Sequence, residues 1–292
     1  MRVVALLGVR NEELYIGRCL EHLLSQGIEV CVIDNDSSDQ TVAIAEQYLR
    51  NGVIQIAHVA YQGSFELLRL LEFKAQLAQK IDADWFIHHD CDEIREAPRP
   101  YQTLLEGIQE IDQAGYNAIN FDEFVFIPTD ENESYLGRDY VHEMEYYYFF
   151  SPRPIHRLNA WKKLPTPVDL TRSGGHLIRF PGINIAPTHF ILRHYPILSA
   201  EHASMKYGGR KFPKSEILRG WHADRALFRK RDVRLPQKSE LKRVSNDGTW
   251  DRSDPWASHP FLPDRDRVRK ITKRRKRVRN FIKRVTRRLK LG

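Results

Sequence analysis

Residues 85–96 read WFIHHDCDEIRE, and an apolar run that reaches two histidines there sets Asp90, Asp92 and Glu93 within four positions. Like charges so close repel one another, so a folded chain must bring something cationic to them. Asp90 and Asp92, one residue apart at the end of an apolar run, have the spacing to share a divalent cation. Mg²⁺ and Mn²⁺ take oxygen ligands and leave positions open for substrate phosphates. The competing reading is a solvated loop in which Arg95 neutralises its neighbours. Cys91, between the two aspartates, reads as a small filler rather than a thiolate ligand. The chain has three cysteines and no C-x-x-C pair, which is no disulfide framework.

A second polar cluster, VIDNDSSDQT, supplies Asp34, Asn35 and Asp36, groups able to hydrogen-bond a base and a ribose. The first apolar run ends at a lone Gly8, with neither a G-x-G-x-x-G turn nor a P-loop behind it. A nucleotide held by side-chain carboxylates and a metal, without a glycine cradle, points to nucleotide-sugar chemistry.

The elements that must position these groups are legible from periodicity. RVVALLG, IEVCVID, VIQIAHV and ADWFIHH read as strands. Helical patterns separate them, the longest being SFELLRLLEFKAQLAQKI. In the helix after strand one, Leu14, Cys19, Leu20, Leu23 and Leu24 form the apolar stripe, and Gly27 closes it. A further helix, YQTLLEGIQEIDQAG, leads into a long strand, YNAINFDEFVFIP. Four strand–helix alternations predict a doubly wound, mostly parallel α/β sheet over residues 1–128. Ligands of such sheets bind beyond the carboxyl ends of the strands. RNEE, DNDSSD and DCDE all fall at such ends. Residues 129–263 lose a clear period and read as an irregular acceptor-side lobe, with short strands and then a helix from about Ser199.

The segments VVALLGVRNEELYIGRCLEHLLSQG and VCVIDNDSSDQT resemble the N-terminal half of family 2 glycosyltransferases of the GT-A fold. HHDCDEIREAP resembles the D-x-D-E-I variant of their metal motif. The resemblance covers about residues 2–98. It implies a GT-A-type α/β fold and a metal-dependent (Mn²⁺ or Mg²⁺), inverting transferase that uses a nucleotide-diphospho-sugar donor. The acceptor would be a glycan or a lipid-linked glycan. Carried over, Asn11 and Glu12 border the nucleotide pocket, Asp34 and Asn35 contact base or ribose with Asp36 beside them, and Asp90 and Asp92 form the metal pair next to Glu93. Asn35 stands where many members have Asp, which leaves the base open. His194, in RHYP, resembles the late histidine that completes the metal site or contacts the diphosphate; His176 and His189 are the alternatives. Lys206, Arg210 and Lys211 are candidates for closing over the diphosphate.

Inverting transfer needs a carboxylate that takes the acceptor hydroxyl's proton as attack proceeds. The usual downstream Glu-Asp pair is missing. Glu123 and Asp122 on the long strand are the first candidates, followed by Asp169 and Glu201. Two other functions compete. A sugar nucleotidyltransferase would carry a Gly-rich loop after strand one, which LGVRNEE lacks. A nucleic-acid or general polyanion binder would act through the basic C-terminus.

That basicity is local. Residues 264–292 hold 15 Lys/Arg against two Asp, a net +13, so with +8 overall residues 1–263 carry −5. Val268, Ile271, Val278, Ile282, Val285 and Leu289, with Phe281, predict a basic amphipathic helix for an anionic membrane surface. No apolar run is long enough to cross a bilayer, and Val3–Leu7 is too short for a signal-peptide core. The expected location is cytoplasmic, peripheral on the cytoplasmic membrane face. Co-sedimentation with anionic vesicles should be seen for the full chain and lost when the chain ends at Pro263. Equal binding by both removes the membrane role.

Overall fold

The computed structural model describes residues 1–263 apart from Ala223, Lys230, Asp232 and Asn246. The amphipathic segment 264–292 lies outside the described residues. The first half alternates as expected: β1 (Val3–Val9), α1 (Ile16–Ser25), β2 (Glu29–Asp34), α2 (Thr41–Glu46), β3 (Val53–His58), α3 (Leu67–Lys80) and β4 (Trp85–Asp90). These strands pair in parallel in the order β3-β2-β1-β4. The apolar stripe of α1 is Ile16, Cys19, Leu20 and Leu23; Leu14 lies before the first helical turn and is exposed.

The register decides where the chemistry sits. Val9 pairs with Asp34, and Gly8 with both Ile33 and Asp90. The carboxyl ends of β1, β2 and β4 therefore lie level, and the three polar clusters form one row along a single sheet edge.

Past β4 the chain turns back as β5 (Glu93–Glu96), then runs through α4 (Leu104–Gln113) to β6 (Ala118–Phe126). A short helix α5 (Tyr140–Glu143) precedes β7 (Tyr146–Phe150), β8 (Arg157–Lys162) and β9 (Phe190–His194). The segment without a readable period thus supplies strands. β8 sits between β4 and β6, antiparallel to both. β7 flanks β6 on its far side. β9 lies parallel to β6 and antiparallel to β5, matching Glu93 with His194 and Val125 with His194. The parallel character belongs to the β3-β2-β1-β4 half; the half built from β6, β7 and β8 is antiparallel. Every residue of β6 is buried, so alternation of polarity could not reveal its faces from sequence.

α6 (Ala200–Tyr207) follows β9, capped by Ser199, whose Oγ accepts from His202 N at 2.9 Å. α7 (Lys214–Leu218) and a two-residue β10 (Lys242–Arg243) beside β7 complete the elements used below. Among the described residues no helix is long and apolar enough to cross a membrane.

Gly107, inside α4, illustrates how tightly this half is packed. A Cβ there would lie 2.8 Å from Ala97 Cβ and 3.0 Å from the Phe190 ring. Gly→Ala in a helix normally stabilises by about 1 kcal/mol. Gly107→Ala should instead destabilise by about 1–3 kcal/mol, because the fully buried Phe190 must shift. Urea unfolding of variant and parent checks the sign.

Candidate functional site

A cavity of about 400 Å³ opens at the level edge of β1 and β4. Gly8, Glu12, Asp90 and Asp92 line one part of it, and His194, Lys206 and Arg210 adjoin them. The question posed by the crowded carboxylates has a definite answer: the chain meets them with its own cations. Lys206, on α6, donates to Asp92 Oδ2 at 2.7 Å. His194, at the end of β9, brings Nε2 to 3.4 Å from the same oxygen. Arg95 is fully buried and donates to Glu93 Oε2 at 2.6 Å, so it does neutralise a neighbour, though from the interior rather than from a solvated loop.

Behind His194 stands Glu123, which accepts from His194 Nδ1 at 2.6 Å. Arg157, from β8, donates to both Glu123 oxygens at 2.6 and 2.7 Å, the bidentate geometry of strong guanidinium–carboxylate pairs. Arg157 also donates to His176 Nδ1 at 2.8 Å. A chain of contacts thus runs His176–Arg157–Glu123–His194–Asp92–Lys206, drawn from six separate elements and loops.

Burial works against every charge in this chain, and pairing reverses it. Burial alone would raise the Asp92 carboxyl, but Lys206 and His194 hold it well below the usual range. Glu123 is likewise held well below, by Arg157 and by its histidine hydrogen bonds. His194 is desolvated, yet Asp92 and Glu123 raise its pKa to about 9. Glu12 differs: burial dominates over the opposing Lys206 and pushes it up to about 7.

Beneath Asp90 lies Lys74 of α3, 2% exposed, which donates to His88 Nδ1 at 3.0 Å and to the His89 carbonyl at 3.1 Å. Burial lowers its pKa to about 8, with Asp90 and Glu93 pulling the other way. Gly8 leaves it room, since a Cβ there would meet Lys74 Cε at 3.2 Å. One sequence signal marked Lys74: it interrupts the apolar face of α3 at the spacing of Leu70, Leu71 and Ala78. Arg157, His156, Asp224, Arg225 and His259 also line the cavity and were not anticipated. They lie in stretches without readable period.

The anticipated nucleotide residues cluster beside the cavity. Asp34 is buried and accepts from Ser37 N, and Asn11 accepts from Ser38 N at 2.8 Å. Asn35 Nδ2 donates to the Val59 carbonyl at 2.7 Å. Asp36 is held by His58 and by Tyr61 N. Arg10 ties this loop to β1 through the carbonyls of Asn35 and Asp36. Asn11, Asp34, Asn35 and Asp36 are outside the cavity lining, to which this region contributes Arg10 and Glu12.

The four carboxylates anticipated as bases are absent from the cavity lining. Glu123 is consumed by Arg157 and His194. Asp122 points to the other side, paired with His189 at 2.8 Å and Arg252 at 2.6 Å. His189 is therefore remote from the cavity lining as well. Asp169 accepts from Thr171 and pairs with Arg172 at 3.6 Å, and Glu201 is an exposed residue of α6. The lining carboxylates are Glu12, Asp90, Asp92 and Asp224.

For a metal, the donor chemistry of Asp90, Asp92 and His194 fits. It offers two carboxylates and an imidazole whose second nitrogen is fixed by a carboxylate, the common outer-shell arrangement. Lys206 stands on Asp92 and would have to yield. Among the described residues, one set of three groups brings ligand atoms within 4.8 Å of one another: Asp34, Asp36 and His58; the anticipated Asp90, Asp92 and His194 are not drawn that close as a set. Cys91 is buried and its thiol is pushed well up by desolvation, as suits a filler.

Residues 6–63 match the model of the family described as Glycosyl transferase family 2. That match spans the segment from β1 to just past β3. No curated protein matches the chain in sequence. Among solved structures, S. aureus TarS is similar at 14% identity and a TM-score of 0.43, over 74% of this chain and 41% of that one. TarS 1–349 in complex with UDP-GlcNAc gives 13%, 0.43, 74% and 69%. The mannosyltransferase PcManGT from Pyrobaculum calidifontis, in complex with GDP-Man and Mn²⁺, gives 17%, 0.32, 41% and 35%. The chain thus spans less than half the length of the first of these TarS chains.

Glu123→Gln should release His194. In metal-free protein the His194 pKa, about 9, should fall toward 6.5, read by NMR titration of the ring. A folded-state pKa raised above 6.5 gives stability that is fully present below that pH and lost as pH rises through 9. Unfolding free energy of the parent should therefore decline across that window, and the variant's should decline less. Identical pH slopes would show that the pair carries no linkage.

Proposed function

We propose that this chain, carrying a glycosyl transferase family 2 segment at residues 6–63, moves a sugar from a nucleotide-diphospho-sugar to an acceptor hydroxyl with inversion at the anomeric carbon. The observation that carries the reading is the meeting of Asp92, His194 and Lys206 in a cavity that Asp90 also lines, at the sheet edge that carries the Asp34–Asp36 loop. Asn11, Glu12, Asp34, Asn35 and Asp36 border the base and ribose. Lys206 and Arg210 attract the diphosphate.

Asp90, Asp92 and His194 would hold a divalent cation, Mn²⁺ or Mg²⁺, which would supply neutralisation of charge on the leaving diphosphate. Glu123 keeps the His194 ring turned toward Asp92, and Arg157 keeps Glu123 ionised. For the base we assign Asp224. It lines the cavity, is 9% exposed, and its Oδ1 accepts from Arg225 N at 2.9 Å. It comes from a different segment than the donor-side carboxylates Glu12, Asp90 and Asp92. Asp224 takes the acceptor hydroxyl's proton, the oxygen attacks the anomeric carbon, and the diphosphate departs with the electrons of its glycosidic bond. Residues 264–292 would hold the enzyme on the cytoplasmic membrane face, within reach of a lipid-linked glycan.

Thermal-shift screening of UDP, GDP and dTDP with and without Mn²⁺ should reveal a nucleotide that stabilises the fold in a metal-dependent way. Asp92→Ala should abolish the metal-dependent part of that binding, measured by calorimetry. Asp224→Asn should keep donor affinity while losing about 10²-fold in kcat. Unchanged nucleotide affinity in the first variant would sink the metal assignment, and normal turnover in the second would move the base elsewhere.

A further inference from the structure

The cavity holds more positive charge than a donor complex can use. Eight lysine and arginine side chains line it against four carboxylates. Arg157 is engaged by Glu123, and Lys206 stands on Asp92 and serves the donor side. Arg172 pairs with Asp169 at 3.6 Å. Arg153 and Arg225 have no carboxylate within ion-pair distance among the described residues. Neither does Arg210, already assigned to the diphosphate. A metal-bound nucleotide-sugar is close to neutral, because the cation offsets the two diphosphate charges. Occupancy of the donor site therefore leaves the surplus standing.

The surplus has a location in the chain. Arg153 and His156 come from the β7–β8 connection, His176 from the loop after β8, and Arg225 from the turn after Trp221. None belongs to the β1, β2 and β4 ends that carry the nucleotide and metal candidates. His156 is 8% exposed, neither ring nitrogen has a hydrogen-bond partner among the described residues, Nε2 stands 3.3 Å from Glu123 Oε2, and the ring stacks on His176 at 5.3 Å. A buried polar atom without a partner is costly in a finished protein and marks a place where a ligand or water completes the bonding. Guanidinium forks are suited to a tetrahedral oxyanion, whose several oxygens accept from different directions, and the bare His156 Nδ1 can accept from a P–OH of the same group.

We infer that the wall formed by Arg153, His156, His176 and Arg225 is a subsite for a phosphate group on the acceptor. This deepens the glycosyltransferase reading and rests on it: the acceptor is a phosphate-bearing molecule whose hydroxyl is delivered toward Asp224. Phosphate can arrive on a soluble sugar phosphate or on an isoprenoid phosphate, and the chemistry of recognition is the same for both.

The test uses the full chain saturated with Mn²⁺ and UDP, so that the donor's own phosphate contacts are filled. Glucose 1-phosphate, geranyl phosphate and glucose are then titrated calorimetrically. At least one phosphate should bind the ternary complex while glucose does not. The tighter of the two identifies a soluble or a lipid source. Arg153→Ala and Arg225→Ala should each weaken phosphate binding about tenfold while leaving UDP affinity within about twofold. Arg157 is unsuitable for this test because its loss strands Glu123. Failure of both phosphates to bind overturns the subsite, as does competition with UDP or binding indifferent to both arginine substitutions. Absence of Mn²⁺-dependent binding by UDP, GDP and dTDP alike is a separate failure, that of the transferase reading; where GDP or dTDP binds instead, it replaces UDP in the titrations. In that event the same titrations on nucleotide-free protein still decide whether the arginine wall holds phosphate.

Discussion

The Asp92 carboxylate is the charge around which this structure is arranged. It is nearly buried, and an isolated carboxylate there would be protonated or would destabilise the fold by several kcal/mol. Lys206 and His194 keep it ionised, and each must itself be compensated. His194 leans on Glu123, Glu123 on Arg157, and Arg157 on His176. Removing any one member leaves a buried charge or donor without its partner, so the set is specified together. Such a network contributes less to net stability than its contacts suggest, since burial opposes each charge. Its effect is to hold an anionic oxygen and an imidazole nitrogen toward the same cavity.

The sheet makes that arrangement geometrically possible. Parallel pairing of β1 with β2 and β4 levels their carboxyl ends, which aligns Gly8, Asp34 and Asp90 without any contact between their side chains. β9 then enters between β5 and β6, and its register sets His194 opposite Glu93 and beside Val125. Tyr195 N donates to the Asp92 carbonyl at 2.8 Å, tying the strand end to the acidic turn. α6 follows directly, and its last turn carries Lys206 to Asp92. The aromatic packing of Tyr15 supports the same corner, with its hydroxyl on the Tyr195 carbonyl at 2.8 Å and the Lys206 ammonium 4.7 Å from its ring centre.

The cavity is asymmetric in chemistry. Its β1 and β4 side carries carboxylates compensated by lysine and histidine. The wall from the β7–β8 connection and from residues 221–225 carries histidines held neutral by burial, together with arginines. His176 is kept well below its usual pKa by burial and then by Arg157, and His259 is lowered by burial to about 3. Neutral imidazoles beside fixed guanidinium charges keep donors available without adding further charge, a composition that favours oxyanions over metals on that side.

Much of the parallel half was readable from residues alone. Alternating strand and helix patterns gave the parallel strands within a few positions, and the rule that ligands sit at strand ends pointed to the edge along which Gly8, Asp34 and Asp90 align. Asp90, Asp92 and His194 stood out because strand-end carboxylates and a late histidine form recognisable local patterns. The bases were not readable in the same way. Asp122 and Glu123 sit on a strand buried throughout, where polar residues signal either function or internal compensation, and sequence cannot separate the two. What the chain determined by itself was local: which segments extend, which coil, and which ends carry charge, because those follow from neighbours within a few residues. Only the tertiary structure decided that Glu123 is spent on Arg157 and His194, that Lys206 meets Asp92 across 114 positions, and that arginines from unpatterned loops share one cavity. Those outcomes depend on the pairing of strands distant in sequence and on burial that no local pattern encodes.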